Sequence, residues 1–125
     1  MILIDTSVWV EFFKQNPVYV QEAQSLLKAR LVLTIEPIFS ELVYGVRREK
    51  DRKVIRAYWN ILPKIEFGPN SMIEAAEFAN QNKYYQLGIG LVDAIIIKSV
   101  VEGKYSVWTL DRKISSNIDP VYVYQ

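Results

Sequence analysis

Two residue types are missing from this chain of 125 residues: it contains no cysteine and no histidine. The first absence excludes disulfides, thiolate metal centres and cysteine nucleophiles. The second excludes serine–histidine triads, imidazole acid–base pairs, zinc–histidine sites and histidine-ligated haem. Any chemistry must therefore run on carboxylates, hydroxyls, amines or a metal that accepts oxygen ligands. A charge surplus is also lacking. With 15 Lys+Arg against 14 Asp+Glu the net charge is +1, which neither demands nor forbids a nucleic-acid partner. Long apolar runs are absent too. The longest, Leu91 to Val101, is broken by Asp93 and Lys98 and falls short of the ~18 residues that span a bilayer. No basic stretch precedes an apolar one at the N-terminus, and Asp5 comes early for a signal peptide. These features lead us to expect a soluble, cytoplasmic protein.

What is present is an ordinary globular composition, 50% hydrophobic and 23% charged. We read one domain over residues 1–125. Met1–Ile4 is an unbroken apolar run of the kind found in strands buried on both faces. Ser7 is placed to cap a helix carrying Val8, Trp9, Phe12 and Phe13, and Asn16-Pro17 ends it. A second helix carries Ala23, Leu26 and Leu27, and Leu31–Ile35 is the next strand. Pro37 opens a helix striped by Ile38, Phe39, Leu42, Val43 and Val46, and another begins near Asp51 and closes at Pro63. Lys64–Phe67 is a weak strand. Helices follow from Ser71 and over Leu91–Glu102, with Gly88 and Gly90 marking a tight connection between them. Tyr105–Leu110 and Pro120–Tyr124 complete the strands. Strands alternating with helices indicate an α/β fold with a mainly parallel sheet, and five strands with helices on both faces is the natural count; we take the strand order to be 3-2-1-4-5.

Such a sheet gathers particular acids. Open α/β sheets place ligands at the carboxyl edge of the strands. Asp5 and Asp111 each follow a strand. Glu41 lies about one turn into the helix after the second strand. Asp93 is in the first turn of the helix that runs antiparallel into the fourth. All four are expected at one edge, with Asp5 and Asp111 on neighbouring strands. Asp119 falls at the opposite edge, and Glu11 and Glu36 are lesser candidates. Carboxylates gathered without cations repel and raise one another's pKa, so the arrangement calls for a multivalent cation. An all-oxygen donor set selects Mg²⁺ or Mn²⁺.

Four blocks carry a family resemblance: Ile4-Asp5-Thr6-Ser7-Val8-Trp9, Ser40-Glu41-Leu42-Val43-Tyr44-Gly45, Val92-Asp93-Ala94-Ile95-Ile96 and Thr109-Leu110-Asp111-Arg112. In order and spacing they resemble the PIN-domain ribonucleases, and in detail the VapC-type toxins of toxin–antitoxin pairs. The resemblance spans essentially the whole chain. It implies that Asp5, Glu41, Asp93 and Asp111 form the acidic catalytic quartet, with Asp5, Asp93 and Asp111 as ligands of Mg²⁺ or Mn²⁺. Thr6, Ser7 and Thr109 match positions with supporting polar roles. It further implies a homodimer, a cognate antitoxin covering the site, and RNA cleavage leaving 5′-phosphate and 3′-hydroxyl ends. Ile114 departs from the aromatic found in many members, a difference of packing that leaves the acids intact.

RNA binding requires positive charge near those acids. Arg112 and Lys113 directly follow Asp111, and Arg47 and Arg48 open a dense basic run continuing through Lys50, Arg52, Lys53 and Arg56. Tyr58 and Trp59 are expected in the core or at a dimer interface. Two other classes compete. A Mg-dependent phosphotransfer or phosphatase-like domain also gathers acids at such an edge. A receiver-like module, however, wants a further acid pair and a late lysine, and a haloacid-dehalogenase-like enzyme wants aspartate where Ser7 stands. A non-catalytic RNA-binding module gains nothing from carboxylates facing phosphate.

Overall fold

A computed structural model describes all residues, Met1–Gln125. Strand β1 (Ile2–Ile4) is followed by α1 (Thr6–Phe13), α2 (Pro17–Lys28), β2 (Val32–Leu33), α3 (Glu36–Gly45) and α4 (Glu49–Ile61). The chain continues with α5 (Ser71–Gln81), a 3₁₀ turn at Tyr84–Gln86, α6 (Leu91–Gly103), β3 (Ser106–Trp108), α7 (Arg112–Ser115) and a 3₁₀ turn at Pro120–Tyr122. Pro17 and Pro37 sit in the first turns of α2 and α3, where a missing N–H costs nothing.

The sheet is parallel, in the order β2-β1-β3. Ile2 and Leu3 pair with Val32 and Leu33 on one side. On the other, Ile2, Leu3 and Ile4 pair with Ser106, Val107 and Trp108. A single parallel bridge flanks each outer strand, Thr34 with Lys64 and Val107 with Val123. Those bridges occupy the expected third and fifth strand positions, so the chain crosses the sheet in the 3-2-1-4-5 sense. Both outer strands are shorter than expected. Only Lys64 of Lys64–Phe67 pairs. Pro120–Tyr124 begins as a 3₁₀ turn because Asp119 accepts the Val121 N–H at 3.0 Å and Pro120 has no N–H to give a neighbouring strand.

Every residue of β1 is buried, so both faces are covered, as a parallel sheet requires. Helix α6 is apolar nearly all round, with Ile95, Ile96, Ile97 and Val100 buried, because it is packed against both α5 and β3. Elsewhere the core centres on Trp9, fully buried, with ring centroids 5.3 Å from Phe12 and 5.5 Å from Phe39. Tyr58 joins this cluster, 5.5 Å from both Phe12 and Phe13. Trp59 lies 5.7 Å from Phe39, with the Lys64 ammonium 4.6 Å over its ring. Both rings are thus partly buried against the core, with Ile61 and Tyr44 exposed nearby. The large apolar side chains left in water include Met72, Ile73, Tyr85 and Leu87. No helix is long and apolar enough to cross a membrane.

Candidate active site

Asp5 ends β1 and is the N-cap of α1. Its carbonyl accepts the Val8 and Trp9 N–H groups, both at 3.1 Å. The cap is thus Asp5 and not Ser7, which lies inside the first turn with its hydroxyl free for other work. Although only 5% exposed, the Asp5 side chain does not cap the helix. Instead its Oδ2 accepts hydrogen bonds from Ser7 Oγ at 2.9 Å and Thr109 Oγ1 at 2.7 Å. Each hydroxyl also accepts a bond from the β3–α7 loop: Leu110 N–H to Ser7 Oγ at 3.0 Å, and Asp111 N–H to Thr109 Oγ1 at 2.9 Å. Two hydroxyls therefore tie the end of β1 to the end of β3.

The register explains why Thr109 and not Asp111 stands beside Asp5. The strand expected to reach Leu110 ends at Trp108, whose carbonyl accepts the Asp5 N–H at 2.9 Å. Asp111 comes after a turn, as the N-cap of α7. Its Oδ1 accepts the Lys113 N–H at 2.9 Å, leaving Oδ2 free of that bond. Glu41 is exposed on α3 and is held from across the site by the Thr6 hydroxyl, which donates to its Oε1 at 2.8 Å. Asp93 is the third residue of α6, with Gly90 as N-cap, the positions of a capping box.

Electrostatics locate the four acids together. The half-buried Asp93 carboxyl is raised above the ordinary aspartate range, first by burial, then by the charges of Asp111 and Asp5. A backbone hydrogen bond at Gly90 opposes the rise, and Glu41 adds a smaller push upward. None of the four acids is paired with a lysine or arginine. Glu11, the lesser candidate, is turned away to accept the Asn16 amide at 3.1 Å, and Glu36 is exposed at the start of α3. As they stand, no three acidic side chains close tightly enough to enclose an ion. The donor set nonetheless fits a hard divalent cation: it is all oxygen, uncompensated in charge and partly desolvated.

Among the basic residues, Arg112 and Lys113 are exposed on α7 beside Asp111, and neither is paired with a carboxylate. Arg47 is exposed and likewise unpaired. Arg48 is forked onto Asp51 at 2.9 and 3.3 Å, and Lys53 lies 3.7 Å from Glu49, so part of the basic run is neutralised locally. Gly90 and the Leu110 N–H were not evident as parts of the site. The Gly90–Asp93 spacing was a usable signal; the Leu110 contact had none.

A parallel α/β domain with carboxylates converging at the switch point between its central strands defines a class of folds whose acidic edge suits a divalent cation. The family comparison narrows this. The PIN domain model matches residues 2–117, and the chain belongs to the PIN domain family. Solved structures agree on the fold. A chain in the crystal structure of VapBC2 from Rickettsia felis bound to a DNA fragment from their promoter is 22% identical, with a TM-score of 0.68, over 98% of this chain and 96% of that one. A chain in a toxin–antitoxin complex from Klebsiella pneumoniae is 18% identical, with a TM-score of 0.73, over 99% and 97%. One in FitAcB from Neisseria gonorrhoeae is 19% identical, with a TM-score of 0.59, over 91% of each. No curated protein matches the chain significantly.

Proposed function

We propose that this chain is a divalent-metal-dependent endoribonuclease and the toxin of a toxin–antitoxin pair. The observation that carries the reading is the meeting of Asp5, Glu41, Asp93 and Asp111 at one sheet edge, with Asp93 feeling the other three and none paired to a cation. Asp5, Asp93 and Asp111 are the residues to hold Mg²⁺ or Mn²⁺. When bound, such an ion supplies Lewis acidity toward phosphate and water. Ser7 and Thr109 orient Asp5 through its Oδ2, leaving Oδ1 without a hydrogen-bond partner and available as a ligand. Thr6 fixes Glu41 through Oε1, which leaves Oε2 to accept a hydrogen bond from the attacking water. In the reaction the water oxygen bonds to phosphorus, the bond from phosphorus to the 3′-oxygen breaks, and that oxygen takes up a proton. The products carry 5′-phosphate and 3′-hydroxyl ends. Exposed Arg112 and Lys113, which directly follow Asp111, together with Arg47 and Arg48 after Glu41, receive the RNA phosphates.

Support for a toxin role comes from the toxin–antitoxin complexes among the structures of like fold. A cognate antitoxin would present an arginine to this edge, because a bidentate guanidinium suits paired carboxylates. A homodimer would form through residual exposed apolar surface such as Ile73 and Tyr85. An RNA substrate is consistent with the cytoplasm as its site of action.

The deciding experiment incubates the purified protein with single-stranded and looped RNA in Mg²⁺ or Mn²⁺. Cleavage should stop in EDTA and fall by orders of magnitude in Asp5→Asn, Asp93→Asn and Asp111→Asn. A double replacement should add little, because residues serving one ion act as a unit. Ends carrying 2′,3′-cyclic phosphate, or activity undiminished by chelator, would falsify the mechanism.

A further inference from the structure

Glu41 borders more than the acidic edge. An open cleft of about 680 Å³ runs from it between α1, α3 and α4, a volume within the range of small-ligand sites. Its floor is apolar, built by Val10, Phe13, Val46 and Val54, and its rim is cationic, built by Lys14, Arg48 and Lys50. The floor is preformed: the Phe13 ring is stacked on Trp9 at 5.6 Å and 21°. Arg48 is engaged by Asp51, but Lys14 and Lys50 meet no carboxylate within 4.0 Å. Glu41 and Asp51 are the only acids lining the cleft.

We propose that this cleft is the subsite for the RNA nucleotide flanking the scissile phosphate, a proposal that rests on the nuclease reading above. A polyanion approaching carboxylates at the sheet edge is repelled by them. Strand binding therefore requires unpaired cations close by and an apolar surface on which a base can lie. The cleft supplies both, and it opens on the acid placed to contact the attacking water. Lys14 and Lys50 contact the phosphates on either side of the seated base, and Val10, Phe13 and Val46 receive its face. An acidic peptide is the rival occupant, and the test separates the two.

Two kinds of variant probe the cleft without touching the acids. Gly45 lines it, and a Cβ built there meets nothing within 4 Å, so the backbone accepts a side chain and Gly45→Leu adds apolar bulk at the cleft wall. Lys14→Glu with Lys50→Glu reverses the rim charge. Lys28→Glu with Lys83→Glu is the charge-matched control outside the cleft. Binding of a fluorescein-labelled, mixed-sequence single-stranded RNA is measured by anisotropy in EDTA, where cleavage does not interfere. Both the filled and the reversed proteins should bind about tenfold more weakly than wild type. Reversal should also flatten the salt dependence by about 1.4 in log–log slope, two phosphate contacts at ~0.7 each. With metal restored, KM should rise with kcat little changed. RNA bound in this pattern but never cut overturns the nuclease reading and leaves the cleft as an RNA-binding site alone. RNA cut with unchanged KM and Kd in both variants overturns the subsite alone, as does a wild type that does not bind the probe. Unchanged RNA handling with lost inhibition by a protein partner assigns the cleft to a peptide and overturns the proposal.

Discussion

Replacing Asp93 by asparagine should change stability in opposite directions with and without metal. Asp93 stands at the N-terminal turn of α6, where an acid gains ~0.3–1 kcal/mol from the helix dipole, and a backbone bond at Gly90 favours its charge. Against these stand its burial and the charges of Asp111, Asp5 and Glu41. Because its carboxyl is raised overall, the unfavourable effects win. Asp93 is only half-buried, so solvent screens each repulsion to a few tenths up to ~1 kcal/mol. In EDTA at neutral pH, Asp93→Asn should therefore stabilise the protein by ~0.5–1 kcal/mol on that scale, or ~2–5 °C in Tm at this size. Metal at a hundred times its Kd should stabilise wild type by ~2.7 kcal/mol, and the variant should forfeit most of this, so the two melting curves exchange order. The pH dependence follows from the same shift. The folded chain keeps the Asp93 proton where the unfolded chain has released it. Metal-free stability due to this group is thus fully present below the ordinary value of 3.8 and is lost as pH rises through the raised folded value. The difference between wild type and Asp93→Asn, measured by thermal melts in EDTA across that window, should grow with pH and then level off. A variant less stable than wild type in EDTA at neutral pH would refute the reasoning and make Asp93 a structural cap.

Removing either hydroxyl donor to Asp5, by Ser7→Ala or Thr109→Ala, should slow cleavage ~10–100-fold, the usual cost of losing a group that orients a metal ligand. Thr109→Ser should restore most of the rate, and full activity in the alanine variants would show that the hydroxyls do not position Asp5. Ile96→Ala, at a fully buried site, should cost ~2–5 kcal/mol in urea denaturation while leaving activity per folded molecule intact. Gly88→Ala should cost ~1–2 kcal/mol, because Gly88 has φ +71° and a side chain in that region is strained; a stabilised variant would show that the turn relaxes. Sedimentation should give a dimer that Ile73→Glu dissociates, and a strict monomer at high concentration would remove the homodimer.

The strands and acids were legible for local reasons. Ile2–Ile4 is apolar on every residue because both of its faces are covered, and a run with no polar alternation announces that condition in the sequence alone. The alternation of strands and helices indicates a parallel sheet, whose carboxyl edge gathers Asp5, Glu41, Asp93 and Asp111. The strand order itself is a supposition until the pairing of β1 with β2 and β3 fixes it. Local pattern did not set strand ends. Tyr105–Leu110 reads as one strand, yet pairing stops at Trp108, because β1 ends at Ile4 and offers no further partner. The register, which sets Ile4 opposite Trp108, places Thr109 beside Asp5, and the turn after it brings Asp111 back as the cap of α7. Likewise Ser7 has the composition of a helix cap, but its hydroxyl is drawn to Asp5 Oδ2 and the Leu110 N–H, a partner 103 residues away. Tyr58 and Trp59 form part of a helical stripe whether they face a core or a second molecule; only the rings of Phe12, Phe13 and Phe39, brought from α1 and α3, decide that they turn inward. Residue type and spacing thus determined which groups could meet. Hydrogen-bond register and long-range packing, which depend on what lies across the sheet, decided which of them do.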